Sequence, residues 1–143
     1  MVEGLNRIGV NAKLIIYAPH IFKEFSERGI QKVAKKYKNY EEKYARELLN
    51  IFQKVEHRPI TLTLIKKFLR EKIPPIVSVN SSILRGKGYG RFVAHYVVIR
   101  GYKGGKFVLN DPHPKFGGVI KIESDMMIAS IYSRKIPEMM VIE

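Results

Sequence analysis

Residues 76–118 read IVSVNSSILRGKGYGRFVAHYVVIRGYKGGKFVLNDPHPKFGG. Residues 76–79 are β-branched apart from one serine and follow Pro74-Pro75, which forces an extended approach; they read as a short buried strand. Residues 80–92 hold three glycines and two serines and are expected to be a loop. FVAHYVVIRGY is a strand, Lys103-Gly104-Gly105-Lys106 a turn, and FVLND the returning strand of a hairpin. Beyond Asp111 regular pairing stops, because Pro112 and Pro114 have no N–H to give to a ladder. The hairpin therefore carries His95 on one arm and Asn110-Asp111-Pro112 at the end of the other.

The turn decides whether those side chains meet. A two-residue turn at Gly104-Gly105 pairs Ile99 with Asn110 and puts His95 and Asp111 on opposite faces. A three-residue loop with Gly105 left-handed and a bulge shifts the register by one and puts them on the same face. Lys103-Gly104-Gly105 allows either.

Upstream, residues 1–8 place Val2, Leu5 and Ile8 at helical spacing, and Gly9 is a suitable C-cap. Residues 10–17 (VNAKLIIY) read as a strand. A start on a short helix that runs straight into a strand reads as the interior of a longer fold. Pro19 opens one or two helical turns that end at Gly29. Helices are expected over 30–37 and 41–55, the second with Tyr44, Leu48, Ile51, Phe52 and Val55 as its buried stripe. Thr61 or Thr63 caps the helix LIKKFLREK, whose Leu64, Ile65, Phe68 and Leu69 form another stripe. Downstream, GVIKI is a strand and residues 123–133 a helix with Ser124 as candidate N-cap. PEMMVIE is a final apolar strand, and the Met pairs 126–127 and 139–140 read as core filler. The expected architecture is α+β, with helices packed on a small antiparallel sheet.

The chain is 143 residues long, which suits a single domain over 1–143. Its 45% hydrophobic and 27% charged residues are ordinary globular composition. No apolar run approaches the roughly 18 residues of a membrane span. No charged n-region precedes an apolar segment, so a cytoplasmic location is expected. Cysteine is absent, which excludes disulfides, thiolate metal sites and a cysteine nucleophile within these residues. The four histidines, at 20, 57, 95 and 113, are too scattered for a metal site, with His57 alone on a helix end, and no cofactor motif stands out. RGKGYGR is not a phosphate loop, since no Lys-Ser/Thr follows it and no helix opens after it.

The net charge of +13 fits two readings: a lysine-rich thermophile bias, or an anionic partner. The charge is uneven. Residues 83–121 carry eight basic residues against the single acid Asp111. The lysines at 32, 35, 36 and 38 suit a solvated helix face.

With its helix, breaker, strand, loop, HYVVIRGY strand, NDP-terminated strand, short helix and final strand, the chain resembles the papain-like cysteine peptidases that process bacteriocin leader peptides, and their stand-alone relatives. The resemblance covers residues 59–143 and, more loosely, 1–17. It implies a papain-like fold in which His95 is the general base and Asp111 the carboxylate that orients it. It also implies a cysteine and an oxyanion-hole glutamine near the N-terminus, and both are missing here. The chemistry behind the pair is general: a thiol attacks as thiolate, the thiolate needs an adjacent imidazole, and the imidazole needs its other nitrogen held. Without the resemblance, His95 reads first as a half-buried strand histidine bonded to a backbone carbonyl; with it, the two readings are even. Asp111 reads equally as a turn-capping carboxylate. Ser81 and Ser82 are poor replacement nucleophiles, since they sit in the 80–92 loop without helix N-terminal activation.

Three functions follow. One is a peptidase-like domain that is catalytically incomplete, through a misassigned start or a natural loss of the nucleophile. Another is a module on the same fold whose groove beside His95 holds an extended peptide by strand addition; Asn110, Arg85, Lys87 and Arg91 are binding candidates for whichever partner is held. The last is a nucleic-acid-binding domain that uses the basic 83–121 surface, with Tyr89, Phe92, Tyr96 and Tyr102 available to stack.

Overall fold

The computed structural model describes residues 2–17, 55–86, 94–115, 117–134 and 136–143. The helices expected over 19–29, 30–37 and 41–55 lie outside the described residues, apart from Val55 at a bend. In chain order the elements are α1 (Val2–Arg7), β1 (Ala12–Ile16), β2 (Glu56–His57), α2 (Leu62–Arg70), β3 (Ile76–Asn80) and α3 (Ser81–Leu84). They continue with β4 (Ala94–Lys103), β5 (Lys106–Asp111), β6 (Gly118–Glu123), α4 (Ser124–Tyr132) and β7 (Glu138–Ile142). None of the described helices is long and apolar enough to cross a membrane.

The α+β class holds, but the sheet is neither small nor purely antiparallel. Among the described residues, seven strands run in the order β2-β1-β7-β3-β4-β5-β6, and β1 pairs β2 in parallel. Residues 56 and 57 are thus a strand rather than a helix end, because Ile15 and Ile16 offer an open edge to Glu56 and His57. The C-terminal strand β7 lies inside the sheet between β1 and β3, so the chain's last strand joins its first to its middle.

One face of the sheet holds the core. Strand alternation places Val77 and Val79 of β3, Val97 and Ile99 of β4, and Phe107 and Leu109 of β5 on that face, all fully buried. Leu64, Ile65 and Phe68 of α2 pack into the same cluster, as do Met127 and Ile131 of α4. Each such side chain contributes on the order of 1.5–3 kcal/mol by leaving water. Of the methionines expected in the core, Met127, Met139 and Met140 are buried, whereas Met126 is exposed.

The ends of α2 explain its length. Thr61 is in extended conformation and its hydroxyl accepts the Leu64 N–H at 3.1 Å, so Thr61, not Thr63, is the N-cap. At the other end Ile73 N–H reaches Phe68 O at 2.9 Å and Lys72 N–H reaches Leu69 O at 3.2 Å. This is a Schellman closure with Lys72 in the left-handed position, φ 61°. Ile73 packs on the core, and Pro74-Pro75 carries the chain into β3. Thr61→Ala is expected to lower stability by about 1 kcal/mol, read from the urea midpoint, with Thr61→Ser close to the natural protein. An unchanged midpoint in the alanine variant would show that the cap contributes nothing.

Two further local expectations are corrected. Residues 81–84 are not loop: the Asn80 side chain accepts the Ser82 N–H at 3.0 Å and starts a single helical turn, α3. This also removes the loop argument against Ser81 and Ser82, although the Ser82 N–H is taken by Asn80. The first cap residue of α4 is Glu123, without a side-chain cap bond; Ser124 instead donates its hydroxyl to Gly105 O at 2.7 Å. That bond ties α4 to the β4–β5 turn.

Candidate active site

The β4–β5 turn is the two-residue form: Lys103 pairs Lys106, and both glycines have positive φ, 58° and 80°. The three-residue loop is not used. The register nevertheless shifts by one, because Arg100 is an extra residue between the pairs Ile99↔Leu109 and Gly101↔Val108. The bulge thus sits within β4 rather than at the turn. It brings His95 and Asp111 to the same face, in line with Val97 and Leu109.

There the two side chains meet. His95 Nε2 lies 2.5 Å from Asp111 Oδ1, which also accepts the His113 N–H at 2.8 Å. The Asp111 side chain is fully buried and that of His95 is 18% exposed. Arg85, the C-cap of α3, brings Nη2 to 3.5 Å from Asp111 Oδ2. Burial pushes the Asp111 carboxyl up. The hydrogen bonds from His95 and the His113 N–H, together with the electrostatic pull of His95 and the Arg85 guanidinium, outweigh that and hold it below its ordinary value.

An ionised carboxylate only accepts, so the proton in the 2.5 Å contact belongs to His95 Nε2. In the neutral ring Nδ1 then carries the lone pair. A histidine fixed in this way can take a proton from an acid placed at Nδ1 and keep its imidazolium stabilised from behind.

The segment between β5 and β6 supports the pair. Asp111 pairs Gly118 directly, so the two ends of the connection between β5 and β6 are held together. Gly117 N–H donates to His113 O at 2.8 Å, and the Lys115 N–H donates to His113 Nδ1 at 3.1 Å. The His113 ring stands edge-on to that of His95, with centroids 6.1 Å apart.

The chain belongs to the Peptidase_C39-like family.

The family model matches residues 19–135, which takes in the segment 19–58 that the resemblance had left out as well as the hairpin. No curated protein and no solved structure matches. In this Peptidase_C39-like chain His95 stands on the HYVVIRGY strand and Asp111 on the strand that ends in NDP, and the 143 residues contain no cysteine.

The other candidates are placed differently. Asn110 is on the opposite face from Asp111, exposed, and its side-chain oxygen accepts from Arg100 at 3.2 Å. Arg85 is turned to Asp111. Lys87 and Arg91 lie outside the described residues, as do Tyr89 and Phe92. Of the stacking candidates, Tyr96 and Tyr102 are described; the Tyr102 ring lies 4.9 Å from that of Phe107, tilted by 58°, beneath Lys66 and on the core side. Tyr96 is on the other face, donating its hydroxyl to Glu138 at 2.6 Å. Burial, then Glu138, raises the Tyr96 pKa. These two rings do not form one stacking platform. The residues that sequence reasoning missed are His113, whose backbone N–H holds Asp111, and Gly117, which closes the loop. The Pro-flanked His113 and the Gly117-Gly118 pair were the available signals.

Proposed function

We propose that this chain is a papain-like peptidase-type domain that is catalytically incomplete as it stands: it keeps the base and its orienting carboxylate and has no thiol for them to activate. The observation that carries this is the His95–Asp111 contact at 2.5 Å in a chain without cysteine. Peptide-bond cleavage by the thiolate route needs a sulfur whose proton passes to the imidazole. His95 is prepared to receive that proton, and nothing in the chain's composition supplies it. The partner class this reading favours is an extended peptide beside His95.

The chain is expected to cleave a library of quenched fluorescent peptides no faster than its His95→Ala variant does. Cleavage above that background, lost in His95→Ala, would overturn the proposal and would call for a nucleophile other than cysteine.

A further inference from the structure

The buried Asp111 carboxylate raises a question that the His95 contact does not answer. An ionised carboxylate with a fully buried side chain is strongly disfavoured unless its charge is compensated. Oδ1 is engaged twice, by His95 Nε2 at 2.5 Å and by the His113 N–H at 2.8 Å. Oδ2, also buried, faces the Arg85 guanidinium at 3.5 Å.

The path of the chain shows why Arg85 is there. β3 ends beside β4, with Asn80 opposite Ala94. Asn80 then caps a single helical turn, whose closing bonds run from Arg85 N–H to Ser81 O at 3.2 Å and from Gly86 N–H to Ile83 O at 3.0 Å. Ile83 and Leu84 are buried, so the turn is anchored and its last residue is aimed rather than free. The Arg85 side chain is only 23% exposed, which suits a counter-ion better than a contact for a partner from solution.

We infer that Arg85 is a positioning residue for the His95–Asp111 pair: its guanidinium compensates the buried carboxylate from the Oδ2 side and leaves Oδ1 turned to the imidazole. This deepens the site reading above and rests on His95 and Asp111 forming the pair. Among the described residues, the charged or titratable side chains facing the carboxylate are His95 from β4 and Arg85 from the end of α3. His113 contributes its backbone N–H. The contact is a single ion pair at 3.5 Å, so lysine, which keeps the charge, should rescue the compensation in Arg85→Lys.

The test follows the Asp111 carboxyl carbon through a pH titration by NMR, on the full chain without substrate. Arg85→Gln is expected to raise its midpoint by about one pH unit or more, a tenfold or greater gain in proton affinity, and Arg85→Lys to leave it near that of the natural chain. A midpoint unmoved by Arg85→Gln would overturn the inference. Because Arg85→Gln alone could fold poorly, the same change is also made in an Asp111→Asn background. There its effect on the denaturation midpoint should largely disappear. An equal loss in both backgrounds would show that Arg85 acts through packing and would overturn the inference too. The titration does not depend on peptide cleavage: cleavage by the natural chain would overturn catalytic incompleteness and leave this result as it is.

Discussion

Gly117→Ala is expected to destabilise the protein by about 3 kcal/mol, at the upper end of over-packing costs. A β-carbon at this position would overlap the backbone oxygens of His113 and Asp111 and lie 2.8 Å from His113 N. All three are backbone atoms, of the connecting loop and of the end of β5, so no side chain can swing aside to make room. Relief requires opening the 112–117 loop, which breaks the Gly117 N–H to His113 O bond and pulls the His113 N–H from Asp111. The loss should therefore appear twice: in the urea midpoint, and in the proton resonance shared between His95 and Asp111, which should broaden or vanish. The neighbouring Gly118 has open space around its β-position but a φ of 115°, so an alanine there should act through backbone strain alone. A Gly117→Ala variant within about 0.5 kcal/mol of the natural protein, a normal surface effect, would mean that the loop is not closed as described.

Asp111→Ala is expected to cost a similar amount, about 3 kcal/mol near neutral pH. It strands the His113 N–H and leaves His95 and Arg85 without the carboxylate between them. The pH dependence has a definite sign. Asp111 is held below the ordinary carboxylate value of 3.8, so the folded protein binds its proton less readily than the unfolded chain does. Its contribution is therefore complete above about pH 4 and is lost as the pH falls through the folded-state value. Denaturation midpoints of the natural protein and of Asp111→Ala should be widely separated at about pH 5 and above, and should converge in stronger acid. A separation that stays constant to the acid limit would show that the carboxylate's charge does not matter. Asp111→Asn should lie between the two, since the amide oxygen can still accept the His113 N–H.

Much of the fold was legible because it depends on local rules. Helical spacing at Leu64, Ile65 and Phe68, a threonine before them and two prolines after them specify α2 with little help from the rest of the chain. Alternation and β-branched runs locate β1, β3, β4, β5, β6 and β7. The absence of cysteine, a matter of composition alone, was legible from the start. His95 and Asp111 were legible as candidates because each stands at a strand end in a run that resembles a family pattern.

What only the tertiary structure decided concerns contacts between distant residues. Glu56 and His57 are too few to announce a strand; they become one because β1 leaves a free edge for them. Whether His95 meets Asp111 depended on a register that the Gly104-Gly105 turn by itself would have set the wrong way. The extra residue Arg100 corrects it, and nothing in RGYKGG distinguishes a bulge there from an ordinary strand position. Arg85 reads in sequence as one more cation in a basic stretch. It becomes the counter-charge of a buried carboxylate because a capped turn of four residues aims it back at the sheet. Sequence periodicity reports which side of an element is buried; it carries no information on which buried charge will face which.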